Sequence, residues 1–456
     1  MKFWLCFIVL TLFTACSTKN LNEQKSFKDS NETKTEISHF ANLEFKQDIN
    51  LLSGLKTKAK FDAKAYKKRF FAPWHTSFKN FKKEQIFWSF PTYLNPKNSY
   101  YFFNKIKIEK SYFKKLIQNA NTKDFAKLNK KALITQNCIL KNLPTQKEIL
   151  KNPFLQSEGI PFNYASDLVL NIATPVLISH FSKDKRYAFV LSEAGSGFVE
   201  SENLEIFTEQ RAKIYENLNF ITPLKEKSPI LSDDNKFFFE SRIGGLYPYY
   251  KEDKYYFYGK IGSKKFKISK NEAKKFPLEF NDENLKNQLK ELLALPYGWG
   301  GYGFERDCSL FVRDIFSSFG LYMPRNSKAQ KNTFTNFDIS FLSNAKKEEF
   351  LNKFGKAYLS LLYMPGHIML YVGNLEGKSV VLQSIWGLRQ NENDRLLLGS
   401  SVLTSLEIGK NQIPNENLLL SRLTHISFIS LSQKESEQIK AFLKANQALV
   451  SSPNKH

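Results

Sequence analysis

The segment with the most chemical promise reads Asp307-Cys308-Ser309. Behind it Phe311, Val312, Ile315, Phe316 and Phe319 recur at helical spacing, so a helix starts near Cys308 with Asp307 placed to cap it. A cysteine in the first turn of a helix sits where the macrodipole favours an anion, and a thiol with an ordinary pKa of about 8.5 becomes a better thiolate there. Gly320 and Pro324 are suited to ending that helix. Upstream, Gly298, Gly300, Gly301 and Gly303 form a loop whose backbone can approach a ligand closely. Downstream, His367 opens the strand-like run His367 to Val372, and a second such run spans Ser379 to Trp386 beyond the turn residues Gly373 to Gly377. A hairpin centred on Leu375 puts Gln383 directly opposite His367, with Cβ atoms about 4.5–5.5 Å apart. Gln383 then holds one imidazole nitrogen and leaves the other for Cys308, which makes a nucleophile, a base and an orienter.

Other candidates are weaker. The chain has four cysteines. Cys6 and Cys16 lie at the N-terminus, and Cys138, in ALITQNCILKNL, reads as a buried small residue. Two remaining cysteines make no disulfide framework. His39, His75, His180, His425 and His456 show no ligand spacing, and HExxH is absent, so no catalytic metal and no cofactor is expected.

The elements that must position these residues follow from the pattern of the 456 residues. The start, MKFWLCFIVLTLFTACSTKN, has a lysine, an apolar run from Phe3 to Phe13 and small residues before Cys16. That is the layout of a signal peptide over residues 1–15. Cys16 is then the lipidated first residue of the mature chain, and residues 16–40 form a polar tether. Residues 41–150 look mainly helical, interrupted by the aromatic loop Arg69 to His75 that Pro73 imposes and that packing explains. Two blocks of short strands follow, at residues 151–215 and 216–280, each with the spacing of a small antiparallel barrel. Residues 281–435 mix helix and strand and carry the chemistry, and residues 436–456 form a C-terminal helix and tail. The fold class is multidomain α+β. A net charge of +23 suits an acidic wall polymer or an anionic membrane, though a lysine-rich composition accounts for it as well. No arginine-rich run or helix-turn-helix pattern points to nucleic acid.

The stretch from Leu292 to Trp386 resembles the NlpC-type, papain-like cell-wall cysteine peptidases. The likeness rests on Pro296, Tyr297, Trp299, Gly300 and Gly301; on Asp307, Cys308 and Ser309; on Pro324 and Arg325; and on Gly366, His367, Tyr371 and Gly373. The two strand blocks resemble the bacterial SH3-like modules that accompany such hydrolases. The resemblance implies a peptidoglycan hydrolase cutting the γ-D-glutamyl to diamino-acid (diaminopimelate) bond of stem peptides. It implies Cys308 and His367 as nucleophile and base, with Tyr297 and the Cys308 N–H at the oxyanion. Trp299 and Ser309 would contact substrate, and Asp307 would take the free amine of an N-terminal L-Ala. Because Asp307 opposes ionisation of the neighbouring thiol, a positive group must relieve it, Arg306 at rest or the substrate ammonium when bound. The expected partners are muropeptides and, through the anchor, a membrane of the cell envelope, the outer membrane favoured. Two departures stand out: Leu310 replaces a usual Gly, and Gln383 a usual His. They keep a second reading open, a wall-binding or scaffolding lipoprotein with an inactive peptidase domain.

Overall fold

The structure, a computed structural model, describes residues 40–56 and 58–451. The signal segment, Cys16, the tether before residue 40 and the last five residues lie outside them. Among the described residues the strands form three sheets. The first holds β1 (Lys130–Ile134), β2 (Cys138–Lys141), β3 (Ser166–Leu170), β4 (Pro175–Phe181), β5 (Tyr187–Leu191), β6 (Ser196–Glu200) and β7 (Leu204–Ile206), in the order β3-β2-β6-β5-β4-β1-β7. The second holds β8 (Asn219–Pro223), β9 (Pro229–Ser232), β10 (Phe237–Glu240), β11 (Tyr247–Glu252), β12 (Tyr256–Ile261), β13 (Lys264–Ser269) and β14 (Ala273–Lys275). The third is built from β15 (Thr335–Asp338), β16 (Ser360–Met364), β17 (His367–Leu375), β18 (Lys378–Arg389), β19 (Arg395–Ser405) and β20 (His425–Phe428), in the order β15-β20-β16-β17-β18-β19. These are two small barrels and a helix-covered sheet.

One boundary differs from the expectation. Strands begin at Lys130, within the stretch 41–150 expected to be helical, because β1 pairs with β4 and β7 and thereby belongs to the first barrel. Ala132, Leu133 and Ile134 are apolar in a row and buried on both faces, a pattern that does not separate a buried strand from a buried helix. The helical region before them is made of short pieces, α1 (Ala63–Phe70), α2 (Lys83–Ile86), α3 (Ser89–Leu94) and α4 (Lys110–Asn119). The aromatic loop is packing, as expected: Phe71 and Trp74 are buried against Tyr215 and Phe220, and the Trp74 indole donates to Ala132 O and Val176 O at 3.1 Å. Cys138 lies buried in β2, and burial pushes its thiol far up.

The catalytic candidates sit in the third unit. After α5 (Glu209–Glu216) and α6 (Asp282–Leu292) comes α7 (Cys308–Ser317), then α8 (Ser327–Thr333), α9 (Asn344–Phe354), α10 (Leu419–Arg422) and α11 (Gln433–Ser451). Alternate residues of β17 face two cores. Ile368, Leu370 and Val372 pack with Phe311, Val312, Ile315 and Phe316 of α7, while Met369 and Tyr371 pack with Phe350, Leu351 and Ile439. A strand buried on both faces has no freedom to slip by one residue without exchanging those faces. That fixes the register of β17, and with it His367 at the start of the strand. No helix among the described residues is long and apolar enough to cross a membrane.

Candidate active site

Asp307 caps α7 in the way its position requires: its backbone is extended and its Oδ1 accepts from Leu310 N at 2.9 Å. Cys308 is therefore the first helical residue, with a backbone N–H that has no partner inside the helix. The thiol lies by the backbone N–H of Ile368, next to His367. Both groups are buried, 8% exposed each. Burial first, and then the Asp307 charge, push the Cys308 thiol up to about 12; burial brings His367 down to about 4, against the pull of Gln383. Both shifts favour the neutral forms, thiol and imidazole. The helix start favours the anion, while desolvation and the Asp307 carboxylate oppose it.

His367 Nε2 meets Gln383 Oε1 at 2.7 Å, and Gln383 Nε2 donates to Thr404 Oγ1 at 2.8 Å. An acceptor at Nε2 means that nitrogen carries the proton, which leaves Nδ1 as the basic atom for the thiol. The register that brings them together is not the symmetric one about Leu375. The turn is the pair Glu376-Gly377, both at positive φ, between Leu375 and Lys378. A bulge between Tyr371 and Gly373 then shifts the pairing, so that Leu370 faces Leu382. Gln383 is consequently diagonal to His367, one pleat along the same face, and the longer glutamine side chain spans that offset.

The residue that neutralises Asp307 is Arg325, and not Arg306. Arg325 reaches both Asp307 oxygens, at 3.1 and 2.6 Å, and donates to Ser309 Oγ at 2.7 Å. Burial raises the Asp307 carboxyl, and Arg325 with the N–H donors of Leu310 and Gly300 outweighs it, holding the group below its ordinary value. Ser309 also donates to Asp307 Oδ1 at 3.1 Å. Asp307 and Ser309 are thus already engaged with each other and with Arg325. A carboxylate accepts about four hydrogen bonds, so little of Asp307 is left for a substrate amine. Arg306 turns the other way, into a buried cluster with Glu226 and Asp314.

A cleft of about 530 Å³ opens over Cys308. Tyr297, Trp299, Asp307 and Ser309 line it from the peptidase side. Burial, with the charges of Asp307 and Cys308, keeps the Tyr297 hydroxyl protonated, a donor beside the nucleophile. Trp299 packs, tilted, against Tyr164 and Phe162 of the first barrel at 5.1 and 5.9 Å between ring centres. Its partners show that it packs between domains while also facing the cleft. The glycine loop approaches protein and not a ligand alone: a Cβ on Gly300 would stand 2.3 Å from Ser166 O, and one on Gly301 2.7 Å from Val169 Cγ2. The opposite wall comes from the first barrel, with Asp167 and Gly195 among others, and from the helical region, with Gln85 and Trp88. Sequence reasoning missed Asp167, Thr404 and Trp88, and it gave Arg325 a place in the motif but no role. Burial raises the Asp167 carboxyl to about 7, with Arg325 pulling it down. Its only sequence signal is an acidic residue in an otherwise apolar strand, SDLVL. Among the described residues no group of His, Cys, Asp and Glu could hold a metal ion.

A cysteine at a helix start and a histidine held by a glutamine are the parts a thiol hydrolase needs, and the comparisons with known proteins match the chain domain by domain. Residues 294–377 match the NlpC/P60 family, residues 149–200 an SH3 domain of SH3b1 type, residues 209–254 an SH3 domain of SH3b2 type, and residues 4–125 the N-terminal NLPC_P60 stabilising domain. The C-terminal domain belongs to the NlpC/P60 family, joined in this chain to two SH3b domains and a stabilising domain. A γ-D-glutamyl-L-lysine dipeptidyl-peptidase of Bacillus cereus is 32% identical over 93 residues, 20% of this chain and 26% of that relative. The chain thus matches about a quarter of that curated relative's length. An NlpC/P60 endopeptidase from Photobacterium damselae subsp. piscicida shares the fold over 86% of this chain and 98% of its own, with a TM-score of 0.72 and 20% identity. An NlpC/P60 family protein from Bacillus cereus ATCC 10987 aligns over 66% of this chain at a TM-score of 0.46 and 17% identity.

Proposed function

We propose that the chain is a peptidoglycan hydrolase, a cysteine endopeptidase that cleaves the γ-D-glutamyl to diamino-acid bond of stem peptides bearing a free N-terminal L-Ala. The observation that supports this reading is a cleft walled by three domains with Cys308 in its lining, where the thiol lies by the Ile368 N–H and the preceding residue, His367, is bonded to Gln383. In the reaction Cys308 Sγ attacks the scissile carbonyl as its proton passes to His367 Nδ1. The Cys308 N–H and the Tyr297 hydroxyl are the donors placed for the resulting oxyanion. Gln383 carries no charge, so it steadies the imidazolium only through the dipole of Oε1. The imidazolium then gives its proton to the leaving amine, and water releases the acyl group. The carboxylate left to meet the substrate ammonium is that of Asp167, since Asp307 is held by Arg325. A bound ammonium would favour the ionised form of Asp167, whose carboxyl burial now holds up. The lysine, the apolar run and Cys16 at the start of the sequence support a location in the cell envelope behind a lipid anchor, which fractionation of cells would check.

Mass-spectrometric assay of L-Ala-γ-D-Glu-diaminopimelate against its N-acetylated form tests the reading. The parent is expected to prefer the free amine by at least about tenfold, equivalent to roughly 1.4 kcal/mol in the barrier. Asp167→Asn is expected to erase most of that preference, Cys308→Ala to abolish turnover, and Cys138→Ala to change nothing. Turnover by Cys308→Ala, or equal rates of the parent on the two substrates, overturns it.

A further inference from the structure

Arg306 immediately precedes the capping Asp307, yet its side chain is bound largely by another domain. Its guanidinium donates to both oxygens of Glu226, at 2.8 and 3.0 Å, and to Ile243 O at 3.0 Å, all three acceptors on the second barrel. The remaining bond, from Nε, goes to Asp314 of α7 at 2.8 Å. Glu226 is itself fixed by Ile243 N at 2.8 Å, and Arg242 of the same barrel donates to Phe304 O. The Arg306 carbonyl completes the picture. It accepts from Gly298 N, beside Tyr297, at 3.1 Å, and from Ser384 Oγ, beside Gln383, at 2.8 Å. One residue therefore ties the second barrel to the nucleophile helix, the Tyr297 loop and the Gln383 strand.

Stability alone is a poor reason for this arrangement. Arg306 is 2% exposed, and a buried ion pair costs so much desolvation that apolar residues of equal volume are often as stabilising. Its distinguishing property is that it permits a single geometry. We propose that Glu226 of the second barrel is a positioning residue for the active site, acting through Arg306 to hold Cys308, Tyr297 and Gln383 in register with one another. The inference rests on the peptidase reading. It makes the second barrel a part of the catalytic apparatus, although neither Glu226 nor Arg306 lines the cleft.

The test uses the full chain. Glu226→Gln keeps volume and removes the charge that orients Arg306. Ser384→Ala removes the bond from the Gln383 strand to Arg306 O. Each is expected to lower kcat, by at least about tenfold and at least about threefold respectively, with KM within about twofold, since misplacement by a fraction of an ångström is felt in the chemical step and not in binding. Lys227→Met, which removes the Lys227–Glu305 pair at the same domain boundary, is the control and should keep the parental kcat. A merely structural role would lower the melting temperature and leave the kcat of the folded protein alone. The pH profile of Cys308 alkylation by iodoacetamide supplies a readout without substrate and should shift in both variants. Parent turnover of the tripeptide judges the peptidase reading separately; were the parent inactive, the alkylation profile would still judge the inference. Parental kcat and profile in both variants overturn it, as does Ser384→Ala alone with parental behaviour if Glu226→Gln fails to fold.

Discussion

Burial favours the neutral forms of both Cys308 and His367, and that bears on how the thiol reacts outside the catalytic cycle. It moves the imidazole down and the thiol up, both away from neutrality. A raised thiol pKa puts the thiolate on the alkaline side, so alkylation of the free protein by iodoacetamide should climb steadily from about pH 7 to about pH 10. A preformed thiolate–imidazolium pair would instead give a rate that is flat across neutral pH, and such a plateau would contradict the neutral pair. Gln383 is the other residue whose chemistry is open to test. It is fully buried between His367 and Thr404. Gln383→Leu orphans both partners and frees the imidazole to turn, so kcat/KM should fall by about a hundredfold or more, near 3 kcal/mol. Gln383→His should keep or raise activity. Parental activity in Gln383→Leu would remove Gln383 from the site. Cys308, His367 and Gln383 were legible in the sequence because motif and strand pattern mark them locally. Asp167 and Arg325 were legible only as residue types, because what gives them a role is an encounter between domains: the Arg325 Nε–H donates to Asp167 O across 158 positions at 2.9 Å.

At the scale of elements the helix was readable in full, the hairpin in part. Asp307 caps α7, and Gly320, at φ +78, takes the left-handed turn after its end; both are decided by local chemistry. The β17–β18 hairpin kept its partners but not its register, since the Glu376-Gly377 turn and the bulge before Gly373 each move the pairing in ways composition does not announce. The early start of the first barrel escaped for a similar reason: β1 finds its partners, Pro175 to Ile178 and Leu204 to Ile206, 42 to 74 positions away. The glycine loop was recognised, and Gly300 does line the cleft, but its contact with the first barrel was not foreseen. Gly300 sits at φ +61 with Ser166 O where a Cβ would stand, whereas Gly303, at φ +63, has only Glu305 Cγ at 4.0 Å. Gly300→Ala must pay both backbone strain and displacement of β3. It should cost clearly more than the roughly 1–2 kcal/mol expected for Gly303→Ala from the left-handed backbone alone. Urea denaturation of the two variants measures the difference. Equal losses would mean that the loop is not held against the barrel.

Taken whole, the molecule closes a groove that a peptidase domain by itself would leave open. Asp167 and Gly195 bring the first barrel to its edge, and Gln85, Ile86 and Trp88 bring the helical region. Trp88 is 64% exposed there. A tryptophan left in water at the mouth of a cleft is a large apolar surface waiting for a ligand or barring one. Both effects bear on the same choice of substrate. If the proposed function holds, a short peptide ending in a free amine would fit inside the wall and cover the ring, whereas a peptide still joined to its glycan through the same nitrogen would have to pass the wall. Trp88→Ala should therefore raise KM for L-Ala-γ-D-Glu-diaminopimelate by several-fold, up to about tenfold if the indole covers some 50 Å² of substrate. The same change should improve kcat/KM for the N-acetylated tripeptide relative to the free one. Steady-state kinetics on the two substrates read both effects, with kcat on the free tripeptide expected to stay near parental because Trp88 is on the rim and makes no contact with the nucleophile or base. If neither the KM nor the ratio moves, the helical region serves only to brace the barrels, and the preference for a free amine rests on Asp167 alone.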